Sequence, residues 1–188
     1  MSWMKTIVMT PGLHRRWLNS LSYLENVGAR KIAASEDSEK VPLTMLKHAS
    51  EEFRHAYYLK KQLIKITNDP PQSYAAHELL GGAQTRFYLH RLDLSVARLL
   101  KAWKPMMPQE LRWKAYLLVT YAIEVRALSL YHAYQEELRK AGSSVKVNAI
   151  LKEEDAHLAE MEEGIRQAFD SEEDWKRKVL SLEEALYT

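Results

Sequence analysis

The chain has 188 residues, enough for one domain with a sizeable core, and a hydrophobic share of 46% with only 6 Gly and 6 Pro excludes fibrous and disordered classes. It has no cysteine, which excludes disulfides, iron-sulfur clusters and cysteine nucleophiles and limits any metal site to oxygen and nitrogen donors. A formal net charge of +2 does not by itself announce nucleic-acid binding; with no apolar run of about 18 residues and no signal-peptide pattern in residues 1–10, a soluble cytoplasmic protein without a membrane partner is expected.

Thr10-Pro11 reads as the start of a helix, with proline in the first turn, and helical spacing of Trp17, Leu18, Leu21, Leu24 and Ile32 carries it to residue 35. Residues 35–40 form a short connection. Pro42 opens a second helix that runs to about residue 67, where Asn68-Asp69-Pro70-Pro71 stops it. So short a loop makes the two helices antiparallel. Residues 73–80 can make two helical turns before Gly81-Gly82, and residues 84–103 read as a further helix within a long crossover. From Pro108 a third long helix runs to Lys140 and stops at Gly142, a fourth spans residues 145–169, and Ser171 to Asp174 caps a C-terminal amphipathic helix. No strand pattern is present, so the fold class is all-α: one domain over residues 1–188, built on four helices with an extra helix in the crossover.

Within those helices one phrase occurs twice: Glu51-Glu52-Phe53-Arg54-His55 and Glu153-Glu154-Asp155-Ala156-His157. Glu52 with His55, and Glu154 with His157, stand one turn apart on one face. The neighbours of Glu52 on that face are Met45, Ala49, Ala56 and Leu59, and those of Glu154 are Ile150, Leu151, Leu158 and Met161, so both motifs interrupt apolar stripes. Glu51 and Glu153 have more polar surroundings and are expected to face outward, with Glu51→Ala and Glu153→Ala leaving any metal site nearly intact. Two further glutamates break apolar stripes in the same way. Glu25 lies among Leu18, Leu21, Ala29 and Ile32, and Glu124 among Leu117, Tyr121, Leu128 and Tyr131. Four carboxylates in a low-dielectric interior cost several kcal/mol each unless protons or cations neutralise them. Two divalent ions cancel four negative charges, and two neutral histidines complete the donor set.

At these residues the chain resembles the ferritin-like di-iron carboxylate proteins, which place one Glu on each of two helices and a Glu-x-x-His on each of the other two. The order Glu25, Glu52-x-x-His55, Glu124, Glu154-x-x-His157 matches that pattern over four helices. The resemblance implies a ferritin-like four-helix bundle and two iron ions, with manganese or zinc as substitutes. In it Glu52 and Glu154 bridge the ions, Glu25 and Glu124 bind one each, and His55 and His157 supply one nitrogen apiece. It further implies an oxidoreductase that activates dioxygen to oxidise or hydroxylate a small organic substrate, served by an electron donor. The pattern is more like the oxygen-activating members (ribonucleotide reductase small subunits, multicomponent monooxygenases, rubrerythrin-type proteins, transfer-RNA hydroxylases) than like ferritins, which usually lack a counterpart of His157. Rubrerythrins usually add a glutamate where this chain has Ala127, and no cysteine-rich domain is present. Alternatives are ferroxidase and iron handling, peroxide detoxification, a hydroxylase acting on an RNA base, or a metal-stabilised interaction module; a homodimer is admitted.

His48, one turn before Glu52, either orients a ligand or is a satisfied histidine near the bundle end. Tyr58, Tyr121 and Tyr131 read as core residues with tethered hydroxyls, and His14, His77, His90 and His132 as surface or structural. The basic residues Arg86, Arg91, Arg98, Lys101, Lys104, Arg112 and Lys114 form either a solvated face or a surface that steers an anion.

Overall fold

The computed structural model describes residues 3–37 and 39–187; Ser38 of the expected first connection lies outside them. The regular elements among the described residues are all helical: α1 (Trp3–Met9), α2 (Pro11–Ala34), α3 (Leu43–Leu63), α4 (Ala83–Trp103), α5 (Pro108–Lys140), α6 (Asn148–Ala168) and α7 (Glu172–Tyr187), with a 3-10 turn at Ala76–Glu78.

Helix α2 starts where Pro11 has its fixed φ and needs no backbone donor, and Thr10 enters in an extended conformation without a side-chain cap. It ends at Ser35, whose hydroxyl bonds the carbonyl of Lys31. Trp17, Leu18, Leu21 and Ile32 are buried along it, each contributing about 1.5–3 kcal/mol of transfer free energy. Helix α5 stops as its sequence indicates: Gly142 takes φ +62°, and the amides of Gly142 and Ser143 bond the carbonyls of Arg139 and Leu138.

Two helix pairs result, α2 with α3 and α5 with α6, each joined by a short connection. Side chains tie one pair to the other. His14 on α2 lies 2.6 Å from the Tyr134 hydroxyl on α5, Lys47 on α3 reaches Glu160 on α6 at 2.7 Å, and Arg54 on α3 meets Glu153 on α6 at 2.5 Å. The crossover is fastened to α2: Asn19 donates to the carbonyls of Ser73 and Glu78, and Ser20 receives the amide of Leu80. Helix α7 is held against α4 and α5 by Glu183, a buried carboxylate that accepts Tyr88 Oη at 2.5 Å and both Nε and Nη2 of Arg126 at 3.0 and 2.7 Å.

The core divides in two. One apolar cluster contains Ile32, Met45, Ala49, Leu117, Leu118, Met161 and Ile165, the other Trp17, Leu18, Leu21, Leu59, Leu63, Tyr134 and Ile150. Along α2, α3, α5 and α6 alike, the acidic motif falls between the part that feeds one cluster and the part that feeds the other.

Four boundaries depart from the sequence reading. Helix α1 was not expected, because seven residues are too few to display a period; it is fixed by burial of Met4 and Ile7. The two turns expected over residues 73–80 shrink to one 3-10 turn, since Asn19 captures carbonyls a helix would have used. Helix α3 ends at Leu63 and continues only as three-residue turns through Ile66. Helix α6 begins at Asn148 and not at residue 145, because the amides of Lys146 and Val147 are taken by the side chains of Gln62 and Gln135. No helix among the described residues is long and apolar enough to cross a membrane.

Candidate metal centre

Glu25, Glu52, His55, Glu124, Glu154 and His157 are all buried and meet in the layer between the two apolar clusters. Two overlapping groups of donors have their atoms within 4.8 Å of one another: Glu25, Glu52, His55 and Glu154, and His48, Glu52, Glu124 and His157. Each is close enough to hold a metal ion, and Glu52 belongs to both. The arrangement repeats across the two helix pairs. His55 Nδ1 has Glu154 Oε1 at 3.1 Å and Glu25 and Glu52 at 3.8 Å; His157 Nδ1 has Glu52 at 3.4 Å, Glu154 Oε2 at 3.7 Å and Glu124 at 3.8 Å. Glu154 thus presents one oxygen to each histidine.

The outer nitrogens are engaged. Nε2 of His157 on α6 donates to Glu51 on α3 at 2.8 Å, and Nε2 of His55 on α3 donates to Glu153 on α6 at 2.6 Å. Each helix therefore orients the imidazole of the other, and both rings keep Nδ1 turned inward. That pairing is how metal-ligating histidines are commonly held. Glu51 and Glu153, read as outward-facing, are half-buried struts; the Glu-Glu doublet in both motifs was the visible signal, but the partner across the helix pair was not.

His48 also belongs to the site. Its Nε2 lies 3.0 Å from Glu124 and 3.5 Å from Glu52, and its Nδ1 lies 3.2 Å from the Tyr116 hydroxyl. Tyr116 went unnoticed in the sequence, where it looks like any core aromatic. Tyr131 donates its hydroxyl to Glu25, on the opposite helix pair, although in sequence it stands beside Glu124. Tyr121 points elsewhere, with Lys176 over its ring, and His14 is a buried structural residue.

The electrostatics record the crowding. Burial, with neighbouring carboxylates adding to it, pushes Glu52 and Glu124 well above the usual range for a carboxyl. Burial also raises Glu154, but contacts with Glu124, His157 and His55 outweigh it and hold this carboxyl below the usual range. For the inner histidines burial opposes charge, yet the acids prevail: His55, beside Glu154 and Glu25, is pushed up to about 11, and His157, beside Glu154, Glu52 and Glu51, to about 10. His48 is lowered to about 3 by burial and by the nearby His157. Protons on the inner imidazoles thus offset the acids when nothing else does.

Chemical fit to a cation is tested by unsatisfied atoms. Glu52 Oε1, Glu154 Oε1, His55 Nδ1 and His157 Nδ1 are buried and have no properly directed hydrogen-bond partner among the described residues. Native interiors leave few such atoms. Four of them turned toward one centre, all oxygen or imidazole nitrogen, form a donor set suited to a divalent transition metal.

A cavity of about 500 Å3 opens onto this layer and is lined by all four glutamates. Compared with known proteins, the chain matches no family model, no curated protein and no solved structure.

Proposed function

We propose that the chain is a di-iron carboxylate oxidoreductase of ferritin-like architecture, using dioxygen to oxidise or hydroxylate a small organic substrate. The reading is carried by two overlapping groups of buried donors, four of whose atoms (Glu52 Oε1, Glu154 Oε1, His55 Nδ1 and His157 Nδ1) lack partners. In it Glu25 and His55 would hold one ion and Glu124 and His157 the other, with Glu52 and Glu154 shared between the two. His48 would add a nitrogen on the Glu124 side. Bound ferrous ions would supply the electrons and the coordination position that reduction of dioxygen requires.

The chain's own residues do the remainder. Glu51 and Glu153 fix the imidazoles, so that Nδ1 of each is aimed before any ion arrives. The apolar clusters on either side keep the layer out of bulk water, which strengthens every charge interaction within it. Tyr131 holds a proton on Oη against Glu25, and burial and the adjacent acids keep that phenol well above its usual range. The cavity admits a molecule to the carboxylates, which favours an organic substrate over iron storage, a function that needs a closed cage of many copies.

Anaerobic addition of ferrous ion followed by air tests this directly. The expected result is two irons per chain and a transient visible absorption band; an unchanged spectrum, or retention of zinc without oxygen consumption, would remove the oxidoreductase reading. Many irons per chain in a large assembly would favour iron handling.

A further inference from the structure

The cavity has two unlike ends. Its inner end carries Glu25, Glu52, Glu124 and Glu154, and its outer rim includes the exposed residues Trp3, Gln84, Arg91 and Tyr187. Between them the wall is apolar and aromatic, with Leu21, Leu24, Leu89, Ile123 and Leu130 among its residues. Two guanidinium groups belong to it, and they are not equivalent. Arg126 is neutralised by both oxygens of Glu183 and lies 4.1 Å from the Tyr187 ring centroid. Arg91 has no acidic partner among the described residues, so it leaves an uncompensated positive charge where the cavity meets solvent. Trp17, also in the wall, is buried with an indole N–H that has no acceptor.

We propose that this cavity binds an apolar monocarboxylate, with its hydrocarbon body against the wall, its far end at the glutamates and its carboxylate at Arg91. A volume of about 500 Å3 lies within the range of small-molecule sites, which typically bury an apolar body and fix it by a few polar contacts. Orientation follows from charge. An anionic head finds no surplus positive charge at the inner end, where protons or cations only offset the four acids, and is attracted by one free guanidinium at the rim, which can take a carboxylate through two parallel hydrogen bonds. The orientation places the unactivated hydrocarbon end, and not the head, beside the donor cluster. Identity as substrate rests on the di-iron reading; binding does not.

Decanoate, decanol and acetate can be titrated into the metal-loaded and the chelated protein, with emission from Trp3 and Trp17 in the wall as the signal and calorimetry for stoichiometry. Decanoate is expected to bind one per chain and more tightly than decanol, and acetate, which shares the head but lacks the body, not to bind measurably. Arg91→Ala should weaken decanoate by about three- to tenfold while leaving decanol unchanged, and Arg91→Lys should recover part of the loss. Because Arg91 is exposed, neither variant disturbs the core. Absence of decanoate binding, equal affinity for decanoate and decanol, or an Arg91→Ala variant that binds decanoate as the parent does would each overturn the proposal. Binding to the chelated protein isolates this result from iron chemistry: decanoate that binds a chain unable to load two irons leaves this site standing and removes the oxidoreductase reading, and iron loading without decanoate binding does the reverse.

Discussion

Glu51 on α3 accepts a hydrogen bond from Nε2 of His157 on α6 at 2.8 Å, and Glu153 on α6 returns the same service to His55 on α3 at 2.6 Å. The exchange makes the aim of each imidazole depend on the other helix. Glu51→Ala or Glu153→Ala should therefore lower metal affinity by about 10- to 100-fold, contrary to the near-intact site expected from sequence alone. Competitive metal titration, with far-UV circular dichroism to confirm folding, reads the effect. Affinities equal to the parent's would mean that the cross-helix bonds do not orient the rings.

Glu52 should separate stability from loading. It is shared by both donor groups, and burial beside other acids already disfavours its charge. Glu52→Leu removes that burden, so the metal-free protein should gain about 0.5–2 kcal/mol while losing dinuclear loading. Urea unfolding in chelator and elemental analysis after loading give the two measurements. A destabilised metal-free variant would show that the carboxyl is better accommodated than its surroundings imply.

Metal uptake should expel protons. In the metal-free protein the inner histidines hold protons up to about 11 and 10, and Glu52 and Glu124 are also raised. All four must give up protons to bind cations, so apparent affinity should climb from about pH 6 to about pH 9. The sign for stability is opposite: imidazoles raised above their unfolded value contribute stability that is complete below 6.5 and lost as pH rises through the folded values. An indicator dye in weak buffer measures the protons, and a reading of none would contradict the assigned protonation.

His14 gives an independent pH effect away from the donor cluster. Burial lowers it from 6.5 to about 4, with Tyr134 beside it at 2.6 Å. A depressed histidine contributes stability that is present above 6.5 and declines as pH falls toward 4, by up to about 3 kcal/mol. His14→Gln keeps a hydrogen-bonding group and cannot titrate, so its stability should fall less over that interval. Parallel urea midpoints for the two proteins across the interval would argue against it.

What could be read in the sequence follows from which interactions are local. Glu52 and His55 announce themselves because an acid one turn from a histidine on an apolar stripe needs no knowledge of other helices, and the same holds for Gly142 at the end of α5. Their meeting in one layer was legible because each acid falls near the middle of a long helix. Tertiary pairings were not: nothing near Tyr116 predicts His48, nothing near Tyr131 predicts Glu25, and the doubled glutamates name no partner. Helix α1 was hidden for the different reason of length, and the shortening at residues 73–80 was decided by Asn19, more than fifty positions away.

Placing the ionisable groups in a slab across the middle of four helices has a mechanical consequence. Each rod is gripped by greasy contacts toward both of its tips, with its acid between them. Ordinary helices loosen from their ends inward. If ions bind that layer, their removal should soften the molecule first at its centre, with amide exchange around residues 52–56 and 154–158 quickening while the flanking turns stay protected.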